Sequence, residues 1–286
     1  MRQIFVFTNL KKDTQFHVTS ELIDFLGKMQ CQVVLDQSCV AYAENLPSYV
    51  RLGSIDHLST DISLVIAVGG DGSLIKAAAS AALHQIPVVG INMGRVGFLT
   101  ELEPGEIPML SKFFHKDYHL RKHMMLSCRI LHEGTEVYCS APTLNDIVLS
   151  KGPTDKLANI DLQYNGQFIH SYHADGVIIA TPTGSTAYSM SAGGPIIEPS
   201  TECFCVTPVC EQSMCTKPII VRSDAALDLV NRSSRNPFLY LSCDGNDSAK
   251  VLNGDTVQIK KSDASAIFLQ LKPHNFSENL RLKMQN

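Results

Sequence analysis

Two stretches of this 286-residue chain hold residues whose types and spacing suit chemistry. The first is Val68-Gly69-Gly70-Asp71-Gly72. Asp71 would repel a phosphate placed directly on it, because two anions at contact distance disfavour each other. It suits instead a proton acceptor for an attacking hydroxyl, or a partner for a divalent cation. It equally suits the plain task of capping a helix. The second stretch, Ala174 to Pro195, reads ADGVIIATPTGSTAYSMSAGGP. After the acidic turn Asp175-Gly176 and the apolar run Val177 to Ala180, residues Thr, Ser, Gly and Tyr dominate. Such a loop presents many backbone N–H groups, several hydroxyls and one aromatic face, and glycine lets it approach a polar ligand closely. A third set, Cys203, Cys205, Cys210 and Cys215, has the thiols for a zinc site. It lacks a C-x2-C pair, and the segment VTPV between its members reads as a strand, so packed thiols are expected there.

The elements that must position these residues follow from the apolar spacing. Ile4 to Phe7 is a strand candidate. Thr14 to Met29 carries Phe16, Leu22, Ile23, Phe25, Leu26 and Met29 at helical intervals. Gln32 to Leu35 is a short strand, and residues 41–60 read as helix or loop. Ile62 to Val68 is a continuous apolar run, as in a strand covered on both faces. The alanine-rich Ser73 to His84 predicts a helix, and Pro87 to Ile91 a further strand. Strand and helix alternate, which points to a doubly wound parallel sheet. GGDG then lies at the carboxyl end of a strand and the start of a helix, where open α/β sheets bind ligands and helix N-termini attract phosphates. Neither a Walker A loop nor a G-x-G-x-x-G fingerprint after a strand is present. Asn92 to Thr100 (NMGRVGFLT), with two glycines three apart, predicts a tight turn beside the same crevice; Phe98 suits either a pocket wall or the core.

Beyond about residue 118 the pattern changes. Short alternating segments take over: MMLSCRIL, LNDIVLS, NIDLQYNGQFIHS, AALDLVN, PFLYLSC, DTVQIK and AIFLQL. Asn165-Gly166 is a two-residue hairpin signal, and Asp244-Gly245 and Asn253-Gly254 mark further turns. This half reads as all-β. No Gly/Ser-rich linker separates it from the first half.

Composition narrows the class. Lys and Arg total 24 against 28 Asp and Glu, a net charge of −4 with no basic block, which argues against nucleic acid or an anionic membrane surface as main partner. No apolar run approaches the roughly 20 residues of a membrane span. MRQIFVFTNL lacks the apolar core of a signal peptide. The nine irregularly spaced cysteines fit reduced thiols in a cytoplasmic protein.

GGDG after a buried strand, then NMGRVGFLT, LNDIVLS, ADGVIIATPTGSTAYSMSAGGPI and LSCDGN, in that order, closely resemble the NAD kinases of the bacterial type. The resemblance covers nearly the whole chain, and the motif ADG-x5-TPTGSTAY-x-x-SAGGP is long and specific. GGDG alone is weaker, since lipid kinases and phosphofructokinases carry related turns. The resemblance implies a Rossmann-like N-terminal domain at residues 1–118, completed by a returning tail at 273–286. It implies a β-sandwich-like, NAD-binding domain at 119–272. It also implies homodimers or homotetramers.

Position by position, the resemblance makes Asp71 the acceptor of the proton from the 2′-hydroxyl of the adenosine ribose of NAD. Gly72 would sit against the bound nucleotide. Asn145 and Asp146 match the family's Asn-Glu pair, which contacts adenine and ribose; aspartate is one methylene shorter in reach. Lys156 falls where a basic or polar residue stands near the ligand, and His173 occupies a variable position before Ala174. Asp175 matches a nucleotide-binding aspartate. Thr186, Ala187, Tyr188, Ser189, Met190 and Ser191 match the segment that encloses NAD, and Asn246 matches a position held by Asn or Gln. The segment CEQSMCTKP departs from the family pattern at Gln212 and Lys217. The chemistry fits these residue types. A secondary alcohol is a poor nucleophile that a nearby carboxylate assists. Phosphoryl transfer otherwise needs positioning and charge neutralisation, which Mg²⁺ or Mn²⁺ on the donor phosphates would supply. The expected reaction turns NAD into NADP with ATP, another nucleoside triphosphate or polyphosphate. Two rivals are a GGDG-type lipid kinase, which should show an acyl pocket or a membrane-binding face, and a silent NAD(P)-binding module, which would be expected to lack the GGDG acid. A dehydrogenase lacks its fingerprint here.

Overall fold

The apolar run at 62–68 forms the middle of the first unit because every residue from Leu64 onward in it is shielded or nearly so. The structure is a computed structural model that describes residues 2–94, 97–213, 216–273, 276, 280 and 281. It divides into Met1–Lys122 with Ser265–Asn286, and His123–Ala264.

In the first unit, β1 (Gln3–Thr8), α1 (His17–Lys28), β2 (Gln32–Asp36), β3 (Val50–Gly53), β4 (Ile62–Gly69), α2 (Asp71–Ala82), β5 (Pro87–Asn92) and α3 (Ser111–His115) follow one another. The strands are parallel in the order β5-β4-β1-β2-β3, and Ile267 and Phe268 pair in parallel beside β5. Alternate strand residues face opposite sides. Ile4, Val6, Leu64, Ile66 and Val68 meet Val18, Leu22, Ile23 and Leu26 of α1 in one cluster. On the other face α2 buries Leu74, Ala77, Ala78, Ala81 and Ala82, and its small alanines allow close packing on the sheet. The helices differ little from expectation at their ends: α1 begins at His17 rather than Thr14, and α2 begins at Asp71. The stretch 41–60 holds 3₁₀ turns and the strand β3. This edge strand has no fully buried residue, so it carries no apolar alternation to read. The return to the first unit begins at Ser265, ahead of the expected 273. Glu101 secures that segment by accepting the Leu271 and Lys272 N–H groups, each at 2.8 Å. The remainder of the tail expected at 273–286 falls largely outside the described residues.

The second unit is a sandwich of two antiparallel sheets. Its strands are β6 (His119–His132, entering from the first unit), β7 (Thr135–Cys139), β8 (Asp146–Ser150), β9 (Ala158–Tyr164), β10 (Gln167–Ala174), β11 (Gly176–Ala180), β12 (Cys203–Val209), β13 (Ile219–Arg222), β14 (Leu227–Asn231), β15 (Phe238–Cys243), β16 (Asn246–Leu252) and β17 (Thr256–Gln270). A four-residue helix, α4 (Tyr188–Ser191), follows β11. One sheet runs β10-β9-β14-β17 with β6 and β7 alongside; the other runs β13-β12-β11-β8-β15-β16. Leu126, Ile130, Ile160, Leu162, Val177, Ile179, Phe204 and Leu241 share the core between them. Ile178 and Ala180 point the other way, into a second cluster with Ile197, Cys203 and Cys205. β11 is therefore covered on both faces, which explains its unbroken apolar sequence. DTVQIK and AIFLQL, expected as two strands, are one strand, β17. The hairpin signals hold: Asn165 and Gly166 (φ 50° and 77°) and Asp244 and Gly245 (φ 50° and 75°) adopt the left-handed pairs that two-residue turns require. Cys203 and Cys205 are buried on β12, Cys210 is exposed beyond its end, and Cys215 lies outside the described residues.

α1 has an unusual start. Its N-cap residue, Phe16, is left-handed (φ 55°) and gives no side-chain cap. Asp13 does that work from three residues earlier. Its carboxylate accepts the Thr19 N–H at 2.9 Å, the Val18 N–H at 3.3 Å and the Thr19 hydroxyl at 2.7 Å. Asp13→Ala should strand two helix N–H groups in a buried site and cost about 1–2 kcal/mol. Thermal denaturation should show Tm a few degrees lower.

Candidate active site

In the first unit the carboxyl ends of β1 and β4 open onto the N-terminus of α2. Gly70 is the N-cap residue and Asp71 the first helical one. The Asp71 carboxylate turns toward the loop after β5. Oδ2 accepts the Phe98 N–H at 2.8 Å, and Oδ1 accepts those of Leu99 and Thr100 at 3.3 Å each. A carboxylate offers about four acceptor sites. Three are engaged, so the group is held in one orientation with one Oδ2 site open among the described residues. Phe98 thus contributes through its backbone. Arg95 and Val96 of the same turn lie outside the described residues.

A cavity of roughly 580 Å³ adjoins Asp71, walled by Gly70, Gly72, Ser73, Lys76, Asn9, Lys11 and Lys12 among others. Gly72 is open on its outer side. The Lys12 ammonium stands over Gly70, 2.5 Å from where a side chain there would begin, and 3.5 Å from the same point on Gly94. Asn9 Nδ2 donates to the Ser73 hydroxyl at 3.2 Å and so ties the end of β1 to α2. Three cations, a glycine turn and a helix N-terminus make this cavity suited to phosphates. Sequence reasoning missed Asn9, Lys12 and Lys76. The available signal was position: Asn9 and Lys12 follow directly on β1, at the edge where such sheets bind ligands.

The other expected residues belong to the second unit, and they form two groups. In the first, Asn145 and Asp146 open β8 beside the loop that follows β11. Thr181 donates its N–H to the Asn145 carbonyl at 2.8 Å and its hydroxyl to the Leu144 carbonyl at 2.6 Å. Asn145 Oδ1 is buried and has no hydrogen-bond partner among the described residues. Asp146 is 5% exposed, and its carboxylate receives no hydrogen bond from a described residue. Burial, and then the nearby Asp244 charge, push the Asp146 carboxyl up to about 7. Buried polar groups are normally satisfied, so this pair awaits a partner. The loop continues with Thr186, Ala187 and α4. Tyr188, Met190 and Ser191 are exposed, and Tyr188 shows 47% of its surface. Ser189 instead points inward: it is fully buried and shares a 2.9 Å hydrogen bond with the Thr207 hydroxyl. Asn246 opens β16 beyond the Asp244-Gly245 turn and is exposed.

In the second group, Lys156 and His173 line a cavity of roughly 440 Å³ with Asn159, Gln212, Ser233, Ser234 and Arg235. Gln212 reaches it because its N–H donates to the His173 carbonyl at 2.9 Å. Lys217 does not line it. Arg235 was not expected and had no motif to mark it. Asp175 stands apart from this cavity, 3.5 Å from the Lys151 ammonium.

The comparisons agree with both halves. The model of the ATP-NAD kinase N-terminal domain matches residues 4–118, and that of the ATP-NAD kinase C-terminal domain matches residues 144–271. The NAD kinase of Magnetococcus marinus is 35% identical over 285 residues, covering 99% of this chain and 93% of its own. That of Symbiobacterium thermophilum is 39% identical over 226 residues, 78% of this chain and 79% of its own. Among solved structures, yeast NADH kinase complexed with NADH superposes with a TM-score of 0.88 at 22% identity, covering 100% of this chain and 88% of that one, a likeness of fold. An NAD kinase from Archaeoglobus fulgidus in complex with ATP gives 0.72 at 25% identity, covering 100% and 99%. The glycine-turn aspartate with its lysine-lined cavity, the buried Asn145-Asp146 pair and matches across both halves have one meaning: this chain belongs to the ATP-NAD kinase family.

Proposed function

We propose that the chain is an NAD kinase that transfers the terminal phosphoryl group of ATP, or of another nucleoside triphosphate or polyphosphate, to the 2′-hydroxyl of the adenosine ribose of NAD. The observation that carries this reading lies in the first unit: an oriented carboxylate, Asp71, flanked by the two glycines of a cavity lined by Lys11, Lys12 and Lys76. In this reading the donor phosphates lie against Lys12, Lys76 and the start of α2. The ribose 2′-oxygen attacks the terminal phosphorus as the bond to the leaving phosphate breaks. The hydroxyl proton passes to the open site on Asp71 Oδ2. Asp71 needs no rearrangement for this, because three N–H groups already hold it.

The acceptor side is assigned to residues 119–272, and the donor side to residues 1–118 with the tail. Asn145 and Asp146 take adenine and ribose hydroxyls. Tyr188 offers a flat surface to one ring, with Thr186, Ala187, Met190 and Ser191 around it. Asp175 and Asn246 contribute further hydrogen bonds. Lys156, His173 and Arg235 face an anionic part of the nucleotide. Ser189 acts from behind, holding the loop through Thr207.

Among the described residues no three His, Cys, Asp or Glu side chains converge to hold a metal ion. In this reading the divalent cation, Mg²⁺ or Mn²⁺, is carried on the donor phosphates and neutralises their charge. No described helix is long and apolar enough to cross a membrane. A cytoplasmic homodimer or homotetramer completes the proposal.

Two variants divide the site. Asp71→Asn keeps the size but loses the charge and sets its NH2 against one of the three N–H donors; it should retain NAD binding while kcat falls about 10²–10⁴-fold, the usual range for a lost general base. Near-normal turnover would remove Asp71 from that role. Lys12→Ala should raise KM for ATP about tenfold or more, as for a lost charge-assisted hydrogen bond, with KM for NAD little changed. Steady-state kinetics with each substrate varied separately reads both. Equal effects on the two KM values would contradict the assignment of the lysine cavity to the donor.

A further inference from the structure

Asp244 stands in the turn between β15 and β16 in a left-handed conformation (φ 50°) that aspartate tolerates. Its sequence signal is that of a turn former. Its carboxylate, however, points across to the start of β8. Oδ2 accepts the Leu144 N–H at 2.8 Å, and Oδ1 accepts those of Asn145 at 2.7 Å and Asp146 at 3.3 Å. In return the Asp244 N–H donates to the Asp146 carbonyl at 3.0 Å. From the opposite side, Thr181 bonds the Leu144 and Asn145 carbonyls, and a side chain on Gly184 would run into the Asn145 carbonyl. The three residues are thus gripped on both sides. What the grip leaves over is the Asn145 side-chain oxygen, buried with no hydrogen-bond partner among the described residues, and beside it the buried Asp146 carboxylate.

We propose that Asp244 is a positioning residue for the acceptor nucleotide: its carboxylate clamps the Leu144-Asn145-Asp146 backbone so that the Asn145 and Asp146 side chains meet adenine and ribose together. This rests on the NAD kinase reading above. The clamp also has an electrostatic side. Asp244 is the charged group that acts on Asp146; Cys243, beside Asp244 on β15, pairs with Ile147, and β11 presents Ala180 opposite Asp146. A negative Asp244 keeps Asp146 protonated to higher pH than burial alone would. As pH rises through neutrality Asp146 ionises and becomes a full acceptor for ribose hydroxyls. kcat/KM for NAD should accordingly rise across that range.

The test is Asp244→Asn, which keeps the size and loses the charge and one acceptor oxygen. KM for NAD should rise about tenfold or more, while KM for ATP stays within about threefold. The inflection in kcat/KM for NAD should move to lower pH, because the like charge beside Asp146 is gone, and Asp146→Asn should abolish it. A merely structural role would raise both KM values, lower Tm and leave the inflection in place; that result overturns the proposal, as does an unchanged KM for NAD. Equilibrium binding of NAD by calorimetry reads the same clamp without turnover. Wild-type protein that binds NAD but yields no NADP from any donor would overturn the kinase reading, and Asp244 would then stand or fall on the calorimetric comparison. Wild-type protein that binds no NAD would overturn both.

Discussion

Buried main-chain N–H groups must find acceptors, and in this chain carboxylates supply them at the points that matter. Asp71 takes three N–H groups from the 98–100 turn, and Asp244 takes three from the start of β8. Asp13 serves α1, and Glu101 secures the returning segment at 271–272. The rest of the structure depends on this constraint because these segments lie outside the regular strand ladders, where no neighbouring strand supplies the acceptors. A charged acceptor forms stronger hydrogen bonds than a neutral one, and several N–H groups offset the loss of water around it. Where that compensation is incomplete the carboxyl group shows it. Glu101 and Asp244 are both raised, chiefly by desolvation, against the lowering effect of their N–H partners.

The same chemistry gives the two halves different characters. Asp71 is oriented by three N–H groups, with one acceptor site open among the described residues, which suits a group that must receive a proton at a fixed point. Asp146 is buried with its carboxyl raised, which suits a group completed by its ligand. The cost of burying Asp146 beside Asp244 falls on the folded state. Its carboxyl is raised in the native protein, so the native chain binds more protons than the unfolded one between the ordinary aspartate range and about pH 7. Stability from this group therefore declines as pH rises through that interval. Such a penalty is easier to understand at a binding site than in a structural core.

Much of the fold was legible because burial leaves a direct mark on sequence. Val177 to Ala180 and Ile62 to Val68 are apolar without interruption since both faces of β11 and β4 are covered. Asn165-Gly166 and Asp244-Gly245 turned where the left-handed conformation demands small polar residues. β3 and β7 left no such mark, for they are exposed edge strands. At the site, GGDG and the TPTGSTAY loop declared themselves through composition. Lys12 and Asn9 did not, because a surface lysine and asparagine look ordinary until the sheet brings the end of β1 beside α2. Asp244 was read as a turn residue, which it is; its second task depends on a partner strand about a hundred residues away. Ser189 shows the converse. It sits within a motif expected to face a ligand, yet it turns inward to Thr207.

The most direct test of the account is product formation by the purified chain with NAD, ATP and Mg²⁺, read by a dehydrogenase that accepts only NADP. The account predicts NADP in proportion to ATP consumed, since the phosphoryl group goes to the adenosine ribose 2′-hydroxyl and nowhere else. No NADP with ATP, and none with polyphosphate or with NADH as acceptor, would contradict it.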